Sequence, residues 1–184
     1  MDVAATVAAD GPGVSLLSPV AGVPMLVRAV RTVLDAGIVR RVWVDVGLPD
    51  CDVLRACAGL PVDVGTHPAQ RGTPGDGSVT PVILVQHDAR RPLTPSALVV
   101  AVVEAVRAGH CAAVPVLPLT DTVKEIGADG VVRGSPDRDR LRVVQAPRAW
   151  RAGHDVVATY AVPGDPRALA IRTEWDLEIA ELMA

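Results

Sequence analysis

The chain has 184 residues, 49% of them hydrophobic, which is the length and apolar content of one globular domain spanning residues 1–184. Its net charge is −3, and it has no Phe, three Trp and one Tyr, so it lacks the basic surface and aromatic platforms of nucleic-acid-binding proteins. The sequence has neither an apolar run that could cross a bilayer nor a signal peptide at residues 1–3, which predicts a cytoplasmic location and no membrane partner.

The first half of the chain alternates predicted strands and helices. Leu26, Ala29, Val30 and Val33 recur at helical spacing after Pro24, and predict an amphipathic helix that ends at Gly37. Strands are predicted at 3–9, 41–46, 60–64 and 81–86, and a short helix at 50–58. Residues 65–80 are rich in Gly, Pro and Thr and are predicted to form a long loop, a kind of segment that is usually functional or disordered.

The second half begins with a helix that Thr94 is expected to cap, followed by a strand at 111–117 with Cys111 in the core. A buried thiol and the absence of metal or disulfide spacing among three cysteines indicate a reducing compartment. Short ribbons are predicted at 122–126, 131–133 and 141–145, and strands at 156–162 and 168–171. The last helix runs to Met183 and is expected to begin with a capping box of Thr173 and Asp176.

These elements predict an α/β fold, with a three-layer, doubly wound and mostly parallel sheet and an antiparallel excursion over residues 120–147. Ligands of such sheets bind at the carboxyl ends of the strands, which here are followed by residues 8–13 and 85–91. Asp88 and Arg91 at a strand end can hold a phosphorylated ligand, because a guanidinium binds phosphate in a bidentate manner. A solvated strand end with a local ion pair is the alternative interpretation. The four histidines are too scattered to predict a metal site.

The stretch His87-Asp88-Ala89-Arg90-Arg91 resembles the His-Asp-Ala-Ala-Arg motif of the 2-C-methyl-D-erythritol 4-phosphate cytidylyltransferase family. The resemblance continues through 93–99, 113–124, 135–147 and 164–177, and is most specific over 115–124. It implies a nucleotidyltransferase-like, Rossmann-like fold. It also implies a reaction that joins CTP to a phosphorylated polyol with magnesium and releases pyrophosphate, in the non-mevalonate pathway of isoprenoid synthesis.

The resemblance also implies a homodimer that forms through a protruding arm at 120–147. By matching position, Asp88 and Arg91 would contact the polyol phosphate substrate. Thr122 and Arg138 would bind its phosphate from the arm of the partner subunit. The resemblance assigns no catalytic residue in this chain.

The chain departs from the family pattern where the family holds the triphosphate of CTP. The family's first loop carries an arginine and a lysine, whereas no basic residue here precedes Arg28, and the loop contains Asp10 and Pro12. The family's strand lysine is replaced by Ala170, and segment 65–80 is too short for the family's helix. Arg71 and Arg172 are the candidate replacement contacts to phosphate.

The sequence therefore supports three interpretations. The leading one is a diverged homologue without a CTP-binding loop, which is inactive or only weakly active and still binds a phosphorylated ligand. The second is a competent cytidylyltransferase that forms 4-diphosphocytidyl-2-C-methyl-D-erythritol with magnesium and the replacement arginines. The third is a non-enzymatic interaction module.

Overall fold

Within the residues that the computed structural model describes, namely 2–9, 11–46, 51–65, 83–153 and 158–184, a mixed sheet of eight strands forms the centre of the protein. The strands are β1 (Val3–Ala8), β2 (Pro19–Val20), β3 (Val23–Pro24), β4 (Arg41–Asp45), β5 (Asp63–Val64), β6 (Ile83–Asp88), β7 (Ala112–Pro118), β8 (Glu125–Ile126), β9 (Val132–Gly134), β10 (Arg142–Val144), β11 (Arg148–Arg151) and β12 (Tyr160–Pro163). The helices are α1 (Met25–Asp35), α2 (Cys51–Ala56), α3 (Ser96–Arg107) and α4 (Glu174–Met183).

The central sheet has the order β10–β7–β11–β6–β1–β4–β5, and β12 also pairs with β7. The pairs β6–β1, β1–β4, β4–β5 and β7–β12 are parallel. Strands β10 and β11 run antiparallel to their neighbours, because the chain returns to the sheet after the excursion that follows β7. The predicted α/β fold is thus confirmed, with a sheet that is parallel on one side and mixed on the other.

The main core lies between the sheet and helices α1 and α3. Leu26, Ala29, Val30 and Val33 are completely buried on one face of α1, as their spacing predicts. The helix ends at Asp35, and Gly37 follows the C-cap residue Ala36 with a positive φ of 68° and a hydrogen bond to the carbonyl of Leu34, which is the left-handed helix stop that glycine favours.

A second, smaller core joins the first loop to the C-terminal helix α4. It is built from the buried residues Val14, Val20, Met25, Ile171 and Ala180. The predicted capping box of α4 is confirmed, since Thr173 Oγ1 accepts a bond from the Asp176 backbone and the Asp176 carboxylate accepts one from the Thr173 backbone. This packing holds the start of the chain against the segment before α4.

Two predicted details of the second half are wrong. Thr94 does not cap α3: the N-cap is Pro95, in an extended conformation with ψ 138°, so the helix begins one residue later than expected. Cys111 is exposed and lies outside β7, because the strand begins at Ala112, which takes the buried position instead.

Two strand predictions also change, and one strand was not predicted. Residues 168–171 form no strand, because this segment bonds to two loops: Ile171 donates to the carbonyl of Arg90, and the carbonyl of Arg172 accepts from Val14. The strand expected at 60–64 is limited to β5, while 60–62 form a bend with local turn bonds. Strand β11 was not predicted, because it has only four residues and the apolar pair Ala149 and Trp150 lies between two arginines, which is too short a pattern to indicate a strand.

No helix in the described ranges is both long enough and apolar enough to cross a membrane.

Candidate functional site

A cleft opens at the carboxyl ends of the parallel strands β1 and β6. Ala8 at the end of β1 pairs with Asp88 at the end of β6, so the loop after β1 and the turn after β6 lie side by side. The cleft has a volume of about 360 Å³, near the lower end of the range for small-molecule sites. Its lining combines backbone from Gly11 and Pro12 with several polar and charged side chains, including Asp88, Arg90, Arg148 and Arg172.

Asp88 and Arg91 lie together at this strand end, as the sequence predicts. The Arg91 Nε atom is 3.8 Å from Asp88 Oδ2, and the other carboxylate oxygen of Asp88 accepts a 2.9 Å bond from the Arg90 backbone. Only 14% of the Arg91 side chain is exposed, and its Nη1 atom donates to the carbonyl of Ala168. Most of the guanidinium is therefore already engaged within the protein.

Burial lowers the pKa of Arg91, the neighbouring Asp88 raises it and the charge of Arg172 lowers it again. Arg172, which was predicted as a replacement cation, also lines the cleft. It reaches this position from the segment before α4, although that segment is not the strand expected there.

Arg90 is a feature of the site that sequence reasoning missed. It is only 7% exposed, and its guanidinium donates to the carbonyl oxygens of Val14 at 2.9 Å and Gly11 at 2.6 Å. The first loop therefore turns two carbonyls toward a cation of the protein itself. Gly13 lies against the same group, since a Cβ atom there would be 2.8 Å from Arg90 Nη1 and 2.8 Å from the carbonyl oxygen of Arg172.

Arg148 is the second residue that the sequence did not indicate. It faces Gln86 directly across the β6–β11 pair, and its Nε atom donates a 2.8 Å bond to Gln86 Oε1. Its guanidinium carbon lies 5.2 Å from the ring centre of Trp150, which is two residues further along the same strand and so on the same face. The sequence separation of 62 residues between Arg148 and Gln86 explains why no local pattern could reveal this pair.

His87 lines the floor of the cleft and is almost completely buried, and neither ring nitrogen makes a hydrogen bond of normal geometry to the described residues. Burial, and after it the positive charge of Arg91, lower the pKa of His87 to about 3. The imidazole is therefore neutral at physiological pH and contributes no charge to the cleft.

Thr122 and Arg138 lie together in a second depression of about 400 Å³, on the arm. Among the described residues, the one hydrogen bond of the Arg138 side chain is a long 3.5 Å bond from Nη1 to the carbonyl of Thr120, so most of its N–H donors are available to a ligand. Within the described part of the chain, neither residue lines the strand-end cleft of its own protomer. Arg71 and Asp10 lie outside the described residues.

The residues present are a poor match for a resident magnesium ion. No group of three His, Cys, Asp or Glu side chains in the described ranges could hold a metal. Asp88 is the one carboxylate among the described residues that line the cleft, and it is already engaged by Arg90 and Arg91. Magnesium is usually held by one or two carboxylates together with substrate phosphates, so here it would have to arrive largely with a nucleotide.

The family model for 2-C-methyl-D-erythritol 4-phosphate cytidylyltransferase matches residues 13–161. The chain belongs to this family of cytidylyltransferases of isoprenoid synthesis. The enzyme of that name from Nocardia farcinica is 37% identical over 218 aligned positions, covering 98% of this chain and 93% of the relative. The one from Saccharopolyspora erythraea is also 37% identical, with 98% of each chain covered.

Solved structures of the family share the fold. The 4-diphosphocytidyl-2C-methyl-D-erythritol synthase of Anaerococcus prevotii superimposes with a TM-score of 0.80 at 18% identity, over 99% of this chain and 97% of that one. The alignment with the Nocardia farcinica relative is longer than the 184 residues of this chain, so that relative contains residues with no counterpart here.

Proposed function

We propose that this family member binds a phosphorylated polyol and does not transfer a cytidylyl group from CTP. The observation that carries the proposal is the arrangement of Arg90 and the first loop. Arg90 donates to the carbonyl oxygens of Gly11 and Val14. The first loop therefore points carbonyl oxygens, which carry partial negative charge, at Arg90, and the Arg90 guanidinium is not available to a phosphate.

The triphosphate of CTP carries several negative charges and needs cations or convergent N–H groups around it. No Lys or Arg precedes Arg28 in the sequence, and Pro12 has no N–H to offer. Arg28 itself donates its Nε hydrogen to the carbonyl of Val20. Phosphoryl-type transfer depends on positioning and on charge stabilisation, so the loss of these groups would lower the rate by several orders of magnitude.

The groups that the family resemblance assigns to the polyol phosphate are all present. Asp88 and Arg91 lie at the strand end, and Thr122 and Arg138 share one depression on the arm. In a dimer of the family type, the arm of one protomer would bring Thr122 and Arg138 to the polyol bound by its partner. The proposed ligand is therefore held by contacts from both subunits.

Two measurements test this proposal. Isothermal titration calorimetry with 2-C-methyl-D-erythritol 4-phosphate should show binding that Arg138→Ala weakens by about 1.5–3 kcal/mol, the range for a charge-assisted hydrogen bond. Arg140→Ala is the matched control, since Arg140 lies in the same 3₁₀ turn and does not line the depression. A pyrophosphate-release assay with CTP, magnesium and the polyol phosphate should show no turnover, with an established family enzyme as the positive control.

Turnover within about a hundredfold of the control enzyme, abolished by Asp88→Ala, would overturn the proposal in favour of a competent cytidylyltransferase. Sequence identity of 37% over 98% of the chain favours this alternative. Absence of both binding and turnover would instead indicate a non-enzymatic interaction module.

We further propose that the protein is a homodimer joined through its arms. Ile126, Val132 and Val144 are exposed on two-stranded or edge ribbons, which are marginally stable alone. A partner arm would cover them with two-fold symmetry.

Sedimentation at micromolar concentration should give twice the chain mass. Val132→Arg should give the monomer mass, whereas Leu182→Arg, an equally polar change at an exposed residue of α4, should not. A monomeric wild type would contradict the proposal.

A further inference from the structure

Arg148 is held more firmly than an ordinary surface arginine. Its Nε hydrogen is fixed by Gln86 on the neighbouring strand, and its planar face lies over Trp150 on its own strand. An arginine side chain loses rotamer entropy when it is ordered, and the cation–π contact and the cross-strand bond offset part of that loss. The guanidinium is thus pre-organised before any ligand arrives.

The remaining donors of Arg148 are available to the cleft that it lines. Its two terminal nitrogens carry four N–H groups, and none of these is hydrogen-bonded within the described part of the chain. Arg172 lines the same cleft, and its guanidinium likewise makes no hydrogen bond to the described residues. The cleft therefore presents two cations whose donors are not consumed by the protein.

Within the described residues, no acid that lines the cleft is free to cancel the charge of these two groups: Asp88 is paired with Arg91. The Asp176 carboxylate lies outside the cleft lining, accepts the backbone N–H of Arg172 and partly offsets the charge of that arginine. Two positive charges match the charge of a phosphate monoester, which is about −1.5 to −2 at neutral pH. They are fewer than the negative charges of a triphosphate without magnesium.

We infer that Arg148 and Arg172 form a phosphate-monoester subsite inside the cleft of a single protomer, separate from Thr122 and Arg138 on the arm. Gln86 is the positioning residue: it holds the Arg148 guanidinium in one orientation, in which the terminal nitrogens can donate two hydrogen bonds to the phosphate. This inference rests on the proposed function only in that the ligand is a phosphate ester. Because both arginines belong to one chain, the subsite is complete without the partner subunit.

The test is an NMR titration with inorganic phosphate at constant ionic strength, set with chloride. The indole N–H of Trp150, assigned by its loss in Trp150→Phe, reports directly on the Arg148 guanidinium that lies over it. In the wild type this resonance should shift along a saturable curve. Arg148→Gln should weaken phosphate binding by about tenfold or more, as expected for the loss of charge-assisted hydrogen bonds.

Two further variants separate charge from pre-organisation. Gln86→Leu keeps every charge and removes the anchor of Arg148, so binding should weaken by about threefold, a smaller effect than loss of the arginine. Arg40→Gln removes one positive charge next to the amino end of β4, at the end of the parallel strands opposite the cleft, and should leave the phosphate affinity unchanged. Thermal melting of each variant confirms that it is folded.

The outcomes distinguish this inference from the proposed function. If Arg148→Gln binds phosphate as the wild type does, or if the Trp150 resonance does not respond, the subsite is wrong. Phosphate binding that depends on Arg138 instead would leave the proposed function standing without this subsite. If phosphate binding depends on Arg148 but the polyol phosphate does not bind, the proposed function fails and the subsite stands.

Discussion

The link between Arg90 and the first loop gives the sharpest test of the site architecture. Replacing Arg90 by Met keeps much of the side-chain volume and removes both guanidinium bonds. The carbonyl of Val14 is buried and would be left without its donor, which costs about 1–3 kcal/mol. The carbonyl of Gly11 is more accessible, so water replaces most of its bond.

Adding a smaller loss for Gly11, we expect Arg90→Met to lower the free energy of unfolding by about 3 kcal/mol. For a chain of this size, that corresponds to a fall in Tm of about 6–12 °C. Differential scanning fluorimetry measures the fall. Arg40→Met is the control: Arg40 is an exposed residue paired with Asp2, and its loss should change Tm by less than about 2 °C.

Hydrogen exchange adds a local readout. The amide of Val14 donates to the carbonyl of Arg172, so it should exchange faster in Arg90→Met once the loop is no longer anchored. If Tm stays within about 2 °C of the wild type and Val14 keeps its protection, the loop is held by other contacts. The two Arg90 hydrogen bonds would then not be what holds the first loop in place.

Two predictions concern neighbouring groups. Gly13→Ala should destabilise the protein by about 1–3 kcal/mol more than Gly11→Ala, as measured by urea unfolding. Both glycines have positive φ, but a Cβ atom would meet neighbouring atoms only at Gly13. Equal losses of stability would contradict this close packing. His87 has a folded-state pKa of about 3, below its ordinary 6.5, so the unfolded state binds the proton first and stability falls as pH drops below 6.5. Between pH 7 and 5.5 the wild type should lose roughly 1 kcal/mol of stability that His87→Gln does not lose. An unchanged pH dependence in His87→Gln would show that His87 is not buried in neutral form.

The sequence predicts those parts of the fold in which local signals agree with the packing. The apolar spacing of α1 and the capping box at Thr173 are both confirmed, because each depends on residues within a few positions of one another. The prediction at Thr94 fails because Pro95, next to it, takes the N-cap position. Strand β11 is missed because it is fixed by pairing with two distant strands rather than by its own four residues.

The candidate site shows the same division between local and distant information. The sequence points to Asp88 and Arg91, since an acid and arginines after a buried strand are visible in a single stretch. It does not separate Arg90 from Arg91, because the direction of each side chain depends on the turn after β6 and on loops some 77 and 79 residues away. The role of Arg148 depends on the cross-strand register with Gln86, which only the folded sheet reveals.

The number of arginines in a strand-end cleft does not by itself measure its capacity for phosphate. Three arginines among the described residues line this cleft, and Arg91 lies next to it. Of these four, Arg90 and Arg91 donate to backbone carbonyls of the protein. Turning Arg90 toward a triphosphate would leave the carbonyl of Val14 unpaired, at a cost of about 1–3 kcal/mol, or about 5- to 150-fold in affinity. The first loop carries no cation with which a nucleotide could recover that cost. Among the described residues, the terminal nitrogens of Arg148 and Arg172 make no such commitment, which is why we assign the inferred phosphate-monoester subsite to these two arginines.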